Sequence, residues 1–399
     1  MWRHPWLIIL AVAAVCVCGV GASIALEAGS SPRRASAPPE HIASSSVDAS
    51  SWASGSEGLE PAVPASAAPD QSLDNVFSQQ LGPGWIGGDS TYSTRLQDGR
   101  EAFVFADTFI GTAQADGAPS FTGMAHSTEL VGALPNLVSD YAGTFAIPLP
   151  LIPDTYDPAA IWEPLATYTQ GDEQMIVVNE YKGPKGILTM HYTGRSGIAV
   201  MSVAANGLPK LSSITLLPTD PSITWGSAVV EGGGYLYLYG ADISGVRDAV
   251  TGMEVARVPV GESLDISRWA YWTGSRWIPN ESNAKVVHTV NDLTGVTRDP
   301  DGKGYIGVSV PWGVFKDRTV DLSYSRSPEG PWTAPQPVYS IPEVFQYGGE
   351  MAYFPTFHPE LSSTPNQLVV SYDLDTDRGL PVLKQNIHSY QPRFITITG

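Results

Sequence analysis

From about Asn75 onward the apolar positions come in short runs separated by Gly, Pro, Asn and Asp, and no long stretch repeats them at helical spacing. The pattern predicts strands at Ala102–Phe109, Ser127–Gly132, Gln174–Asn179, Ile198–Val203, Tyr235–Tyr239, Val286–Val290, Tyr305–Val310, Leu368–Tyr372 and Phe394–Thr398, with several others between them. Short strands at regular spacing, with turns between, make a sandwich, a barrel or a propeller. Residues 76–399 are long for a sandwich; divided by five they give about 65 residues per unit, a generous four-stranded blade. Three strand–turn echoes fit blades: Gly233–Gly240, Ala270–Trp277 and Ser323–Trp332. The expected fold is all-β, a five-bladed β-propeller over residues 76–399.

The pattern before Asn75 is different. In residues 1–26, Arg3 and His4 precede an apolar run from Trp6 to about Val20, and Ser23-Ile24-Ala25 offers a cleavage site. This reads as a signal peptide, with residues 6–26 as a membrane tether if cleavage does not occur. Residues 27–75 are rich in Ser, Ala and Pro without sustained periodicity, and read as a disordered linker. The expected location is secreted or held at the cell envelope.

One stretch concentrates candidate chemistry. Asp89 follows Gly87-Gly88, an Asp98-Gly99 hairpin signal comes next, and Phe103, Phe105 and Asp107 fall on one face of the following strand. An aspartate that continues an aromatic core face is costly to bury unless it is paired or used. The hairpin can bring Asp89 and Asp107 together, and two carboxylates at one end of a small sheet are the raw material of glycoside hydrolysis. Asp107, on the apolar face, suits the acid; Asp89, on a Gly-flanked turn, suits the base. The competing structural readings are a turn-forming Asp89 and a capping Asp107. Glu350 is the third carboxylate to test, because Gly348-Gly349 before it permits close approach to a ligand. Glu163 and Asp242 read as turn or rim residues.

His126 and His358 are candidates to bond a carboxylate or a sugar hydroxyl, against a structural reading as hydrogen-bonded core histidines. Trp85, Tyr92 and Trp225 are candidate sugar platforms, with Trp162, Trp269 and Trp312 behind them, since aromatic faces meet the apolar face of a sugar ring. The histidines lack metal-ligand spacing, and the two cysteines, Cys16 and Cys18, both lie in the N-terminal apolar run. No metal and no cofactor is therefore expected. The formal net charge of −18 argues against nucleic acid and anionic membrane surfaces as partners. A neutral polysaccharide is the expected partner, bound by a monomer. Neither a Gly-x-Ser-x-Gly elbow nor a phosphate loop is present, and Ser-x-Asp-x-Gly-x-Thr-Trp repeats of the sialidase kind are missing.

The segments 87–93, 98–100 and 105–111, read together, resemble actinobacterial secreted proteins with a five-bladed propeller glycosidase-like domain, long described as domains of unknown function. A neighbouring family with a similar Asp…Asp-Thr-Phe opening contains endo-D-arabinanases. The Trp225–Val230 and Gly234–Gly240 segments, the Ser327–Trp332 turn, and Phe357–Glu360 leading into Leu368–Asp373 are similar to furanosidase-propeller blades. The resemblance implies an inverting hydrolase of furanose glycans, arabinan or arabinogalactan above all, with Asp89 and Asp107 as its catalytic pair. This chain has Ala125-His126-Ser127-Thr128-Glu129 where those relatives carry an Arg-Ser-Asn-type segment. A non-catalytic carbohydrate-binding propeller keeps the aromatics without needing both carboxylates, and a protein-interaction propeller needs neither.

Overall fold

The computed structural model describes residues 66–183, 190–218, 220–244, 250, 252–290, 293–300, 302–311, 319–346, 350–376 and 379–398. The expected signal segment, most of the expected linker, Trp312, Gly348 and Gly349 lie outside the described residues. Among the described residues the chain is nearly all β, and no helix is long and apolar enough to cross a membrane.

Five antiparallel sheets of four or five strands follow one another along the chain. The first pairs Tyr92–Arg95, Glu101–Phe105, Thr128–Ala133 and Asn136–Asp140 in that order. The second runs Ala160–Gln170, Glu173–Lys182, His191–Ser202 and Lys210–Leu216. The third opens on Ile223–Gly232 and the fourth on Gly295–Arg298. The fifth runs Glu350–Phe357, Gln367–Thr376, Arg393–Thr398 and then back to Ser66–Pro69. The opening strands of successive sheets pack side by side. One cavity of about 310 Å³ is lined by residues from all five of them, including Tyr92, Thr167, Ser227, Thr297 and Thr356.

Local chemistry explains the turns. Gly232 pairs with Tyr235 across Gly233 and Gly234, whose φ values of 58° and 82° give the left-handed pair that a two-residue hairpin requires. A hairpin forms at Asp98-Gly99, but with a three-residue loop in place of the two-residue turn that the pair suggests: Arg95 pairs with Glu101, Leu96 N–H donates to the Arg100 carbonyl at 2.8 Å, and Gln97, Asp98 and a left-handed Gly99 (φ 84°) make the loop.

Three expectations are corrected. Ala102–Phe109 is not one strand: it breaks at Ala106-Asp107, and Thr108–Ala113 leaves for a small separate sheet with Gly84–Gly88 and Pro119–Ala125. The break occurs because Ala106 N–H donates to the Asp89 carbonyl (2.9 Å) and Asp89 N–H to the Asp107 carbonyl (3.2 Å), tying the two segments to each other. Val286–Val290 forms no strand and contributes a single bridge, Met253 to His288. The folded domain also starts before residue 76. Ser66–Pro69 pairs with Arg393–Thr398, and the helix Gln71–Ser78, capped by Asp70, buries Leu73, Val76 and Phe77. Phe77 stacks on Phe394 at 5.0 Å, so this segment completes the fifth sheet and seals the aromatic core beneath the first.

Candidate active site

Three opening strands carry a register break: between Pro164 and Thr167, Trp225 and Ala228, and Tyr353 and Thr356. An extra residue in a strand re-aims the side chains beside it. Glu163, Thr224 and Tyr353 stand next to these breaks, and Asp89 lies just before the opening strand of the first sheet. A cleft at this end is lined by Ser90, Ala106, Glu163, Tyr181, Tyr192 and Phe354, among others.

Asp89 and Asp107 are brought together, as the hairpin suggested, and both are buried. Asp89 Oδ1 accepts from the Asp107 backbone N–H (3.0 Å), and its Oδ2 accepts from the Tyr353 hydroxyl (2.9 Å). Asp107 Oδ1 accepts from the His126 ring at 2.6 Å, while its Oδ2 is buried without a hydrogen-bond partner. The glycines before Asp89 do not make the turn. Gly87 and Gly88 are strand residues, where an added Cβ would come within 2.7 Å of the Tyr390 carbonyl and 2.9 Å of Trp85 Nε1. The left-handed residue is Ser90, with φ 58°, and its hydroxyl donates to the Pro164 carbonyl at 3.0 Å. Asp373 accepts from the Thr91 amide at 3.1 Å and from its hydroxyl at 2.6 Å, holding the turn from the other side.

Glu163, set aside as a rim residue in the sequence, belongs to this group. Its carboxyl is pushed well above the usual range by burial and by the charges of Asp107 and Asp89. Asp373 is pushed up by burial and by Asp89, and Asp375 by burial with Asp89 and Asp107 adding to it. Burial pulls the His126 imidazole down, but the charge of Asp107, their hydrogen bond and the charge of Asp89 outweigh it, and its pKa rises. The site is thus a set of buried carboxyls, three of which (Glu163, Asp373 and Asp375) have raised pKa values, beside one imidazole whose pKa is raised as well. The signal for Glu163 lay in Trp162-Glu163-Pro164-Leu165-Ala166: an acid inside an apolar strand, the argument already applied to Asp107.

Other expected site residues sit elsewhere. Glu350 is buried, but it accepts from the Ser389 hydroxyl (2.7 Å), and the charges acting on it are Arg393 and Glu343. Trp85 is 1% exposed and packs with Phe77 and Phe105 in the core, so no face is left for a sugar. Trp225, also 1% exposed, donates from its indole to Glu281 (2.5 Å) inside the core of the third sheet. Trp162 and Trp269 are core residues as well. Tyr92 is buried against Leu165 and Ala166, its hydroxyl donating to the Ser227 carbonyl at 3.3 Å; it borders the five-strand cavity rather than the acid cleft. His358 is fully buried between two serine hydroxyls, Ser93 on Nδ1 (2.5 Å) and Ser371 on Nε2 (2.8 Å). Large aromatics are the residues best able to fill a core, which is why most of the expected platforms are inside. The aromatics that do line the cleft are Phe354, Tyr181 and Tyr192, the rings of the two tyrosines lying 5.8 Å apart. Among the described residues no group of three or more His, Cys, Asp and Glu side chains could hold a metal ion.

Fold and site together describe an all-β protein with a buried carboxyl cluster at one end of its opening strands. The chain belongs to the family described as a domain of unknown function (DUF5005), whose model matches residues 70–399. Among solved structures it is similar to a candidate hydrolase from Bacteroides ovatus, at 18% identity and a TM-score of 0.65, over 83% of this chain and 90% of that one. Weaker likenesses include the α-L-arabinofuranosidase of Podospora anserina, at 11% identity and TM-score 0.46, over 80% of this chain and 92% of that one. Another is a candidate exo-β-1,3-galactanase of Bifidobacterium bifidum, at 10% identity and TM-score 0.44, over 77% and 86%. No curated protein matches the chain.

Proposed function

We propose that this chain is an exported five-bladed β-propeller that hydrolyses a neutral furanose-containing glycan, with arabinan or arabinogalactan of an actinobacterial cell wall as its substrate. The observation that carries the reading is the convergence of Asp89, Asp107 and Glu163 at one end of the molecule, where burial and the two aspartates push the Glu163 carboxyl up. The cavity lined by all five opening strands supports the blade count. The excess of buried carboxyls disfavours an anionic substrate.

In this reading Glu163 gives its proton to the leaving glycosidic oxygen. Asp89, fixed by Tyr353 and the Asp107 amide, takes a proton from the water that attacks the anomeric carbon. The bond from carbon to the leaving oxygen breaks as the bond to water forms, and solvent returns a proton to Glu163 and removes one from Asp89. Asp107 does not serve as the acid, the role first read for it. Its charge helps keep Glu163 protonated, and it anchors the His126 ring. The course is inverting, as the resemblance implies, and the anomer first released reports it.

The test is sugar release by the full chain from a panel of arabinans, arabinogalactans and other neutral glycans, beside Asp89→Asn and Glu163→Gln. Release by the parent that both variants lose supports the reading. Binding without cleavage by all three replaces it with a carbohydrate-binding module.

A further inference from the structure

We infer that Tyr353 is a positioning residue for Asp89, and that the left-handed backbone at Ser90 and Phe354 exists to hold the two side chains on each other. The inference rests on the hydrolase reading above, in which Asp89 is the water-activating base.

Three observations carry it. The Tyr353 hydroxyl donates to Asp89 Oδ2 at 2.9 Å, with both residues buried. Of the three non-glycine residues with positive φ among the described residues, two are the immediate neighbours of this pair. Ser90, at 58°, follows Asp89, and Phe354, at 49°, follows Tyr353. A non-glycine residue in this region is strained, most of all a bulky one, and such strain persists only where surrounding contacts enforce it. Those contacts are present: Asp373 clasps Thr91, Ser90 bonds the Pro164 carbonyl, and the Tyr353 ring packs against Phe354 at 5.0 Å. The register break between Tyr353 and Thr356 coincides with the strained residue, so the strand departs from its ladder where it delivers the hydroxyl.

The chemistry follows from the two acceptor oxygens. With Oδ1 held by the Asp107 amide and Oδ2 by the tyrosine, the plane of the carboxylate is fixed, and the lone pairs left over point in set directions. A phenol donates to the ionised carboxylate more strongly than to the acid and so favours the basic form. Asp89 acts electrostatically on Glu163, Asp373, Asp375 and His126, and Asp107 is hydrogen-bonded to it. Four of these five neighbours are carboxyls, and the Tyr353 hydroxyl adds a neutral donor to the Asp89 carboxylate among them.

The test is Tyr353→Phe in the full chain, alone and combined with Asp89→Ala, which removes both carboxylate oxygens, read by thermal melting and by kinetics. The bond predicts that Tyr353→Phe lowers the melting temperature in the parent more than in the Asp89→Ala background. Positioning predicts a kcat about tenfold to a hundredfold lower, KM within about twofold, and the acidic limb of the kcat/KM profile shifted to higher pH. Equal melting losses in both backgrounds overturn the bond. Unequal losses with unchanged kcat and pH limb overturn the positioning role. A parent that releases no sugar overturns the hydrolase reading, and with it the catalytic half of this inference, while the melting comparison still decides the bond.

Discussion

His126 and His358 look alike in the sequence, each near the end of an apolar run, and the fold gives them opposite surroundings. His126 is 22% exposed beside Asp107, and its pKa is raised because the Asp107 charge, their hydrogen bond and the Asp89 charge together outweigh burial. His358 is enclosed between Ser93 and Ser371, against Phe103 and Phe394, and burial pushes it down to about 3. The first stands at the end of the molecule where carboxyls converge. The second pins the first sheet to the fifth. The His126 imidazole is bonded directly to a carboxylate, whereas His358 is bonded to hydroxyls, with the nearest carboxyl, Glu360, 3.9 Å from its Nδ1.

The largest effect expected from breaking this contrast is at the charged end. Glu163→Gln should lower glycan hydrolysis by about a thousandfold or more, measured as sugar release at the parent's optimum. It should also stabilise the fold at neutral and alkaline pH. The native Glu163 binds its proton more tightly than the unfolded one, so the folded protein loses stability as pH rises above 4.5, and the amide removes that loss. Melting curves from pH 5 to 9 check both the sign and the window.

At the structural end, Trp225→Ala should cost about 3–5 kcal/mol by leaving a large cavity in the core. Denaturant melts should show that loss, while KM of the surviving folded fraction stays near the parent's. A tenfold rise in KM with little loss of stability would return Trp225 to the list of sugar platforms.

The histidines sharpen the comparison further. His126→Asn should remove stability that is fully present below pH 6.5 and fades as pH rises through the raised folded value, so its deficit shrinks toward alkaline pH. His358→Gln should do the reverse. Neutral His358 contributes stability that is complete above pH 6.5 and lost as pH falls toward about 3, so this variant should lose less than the parent on acidification. Parallel melting profiles for the two variants would erase the distinction.

The legibility of the sequence follows the same line. The hairpins, the all-β character and the approach of Asp89 to Asp107 could be read, because turns and alternation are local signals. The strand break at Asp107 could not, because it is made by hydrogen bonds to Asp89, eighteen positions away. The Gly-Gly before Asp89 was legible as a constraint but not as its kind. Both glycines serve close packing, and the turn is forced on Ser90 by contacts from other sheets. Tyr353 left no local trace, since its role depends on the fifth sheet closing beside the first. Trp85 shows the limit of reading aromatics: a place in sequence beside an acid says nothing of which way a ring points.

The most direct measurement compares two substrates of the same sugar, a natural furanose glycan and an aryl furanoside whose leaving group needs no protonation, with Glu163→Gln and Asp89→Asn. If Glu163 is the acid and Asp89 the base, Glu163→Gln loses the glycan but keeps most of its rate on the aryl furanoside, and Asp89→Asn loses both. Equal loss on both substrates by Glu163→Gln, or aryl furanoside hydrolysis surviving in Asp89→Asn, would contradict the assignment.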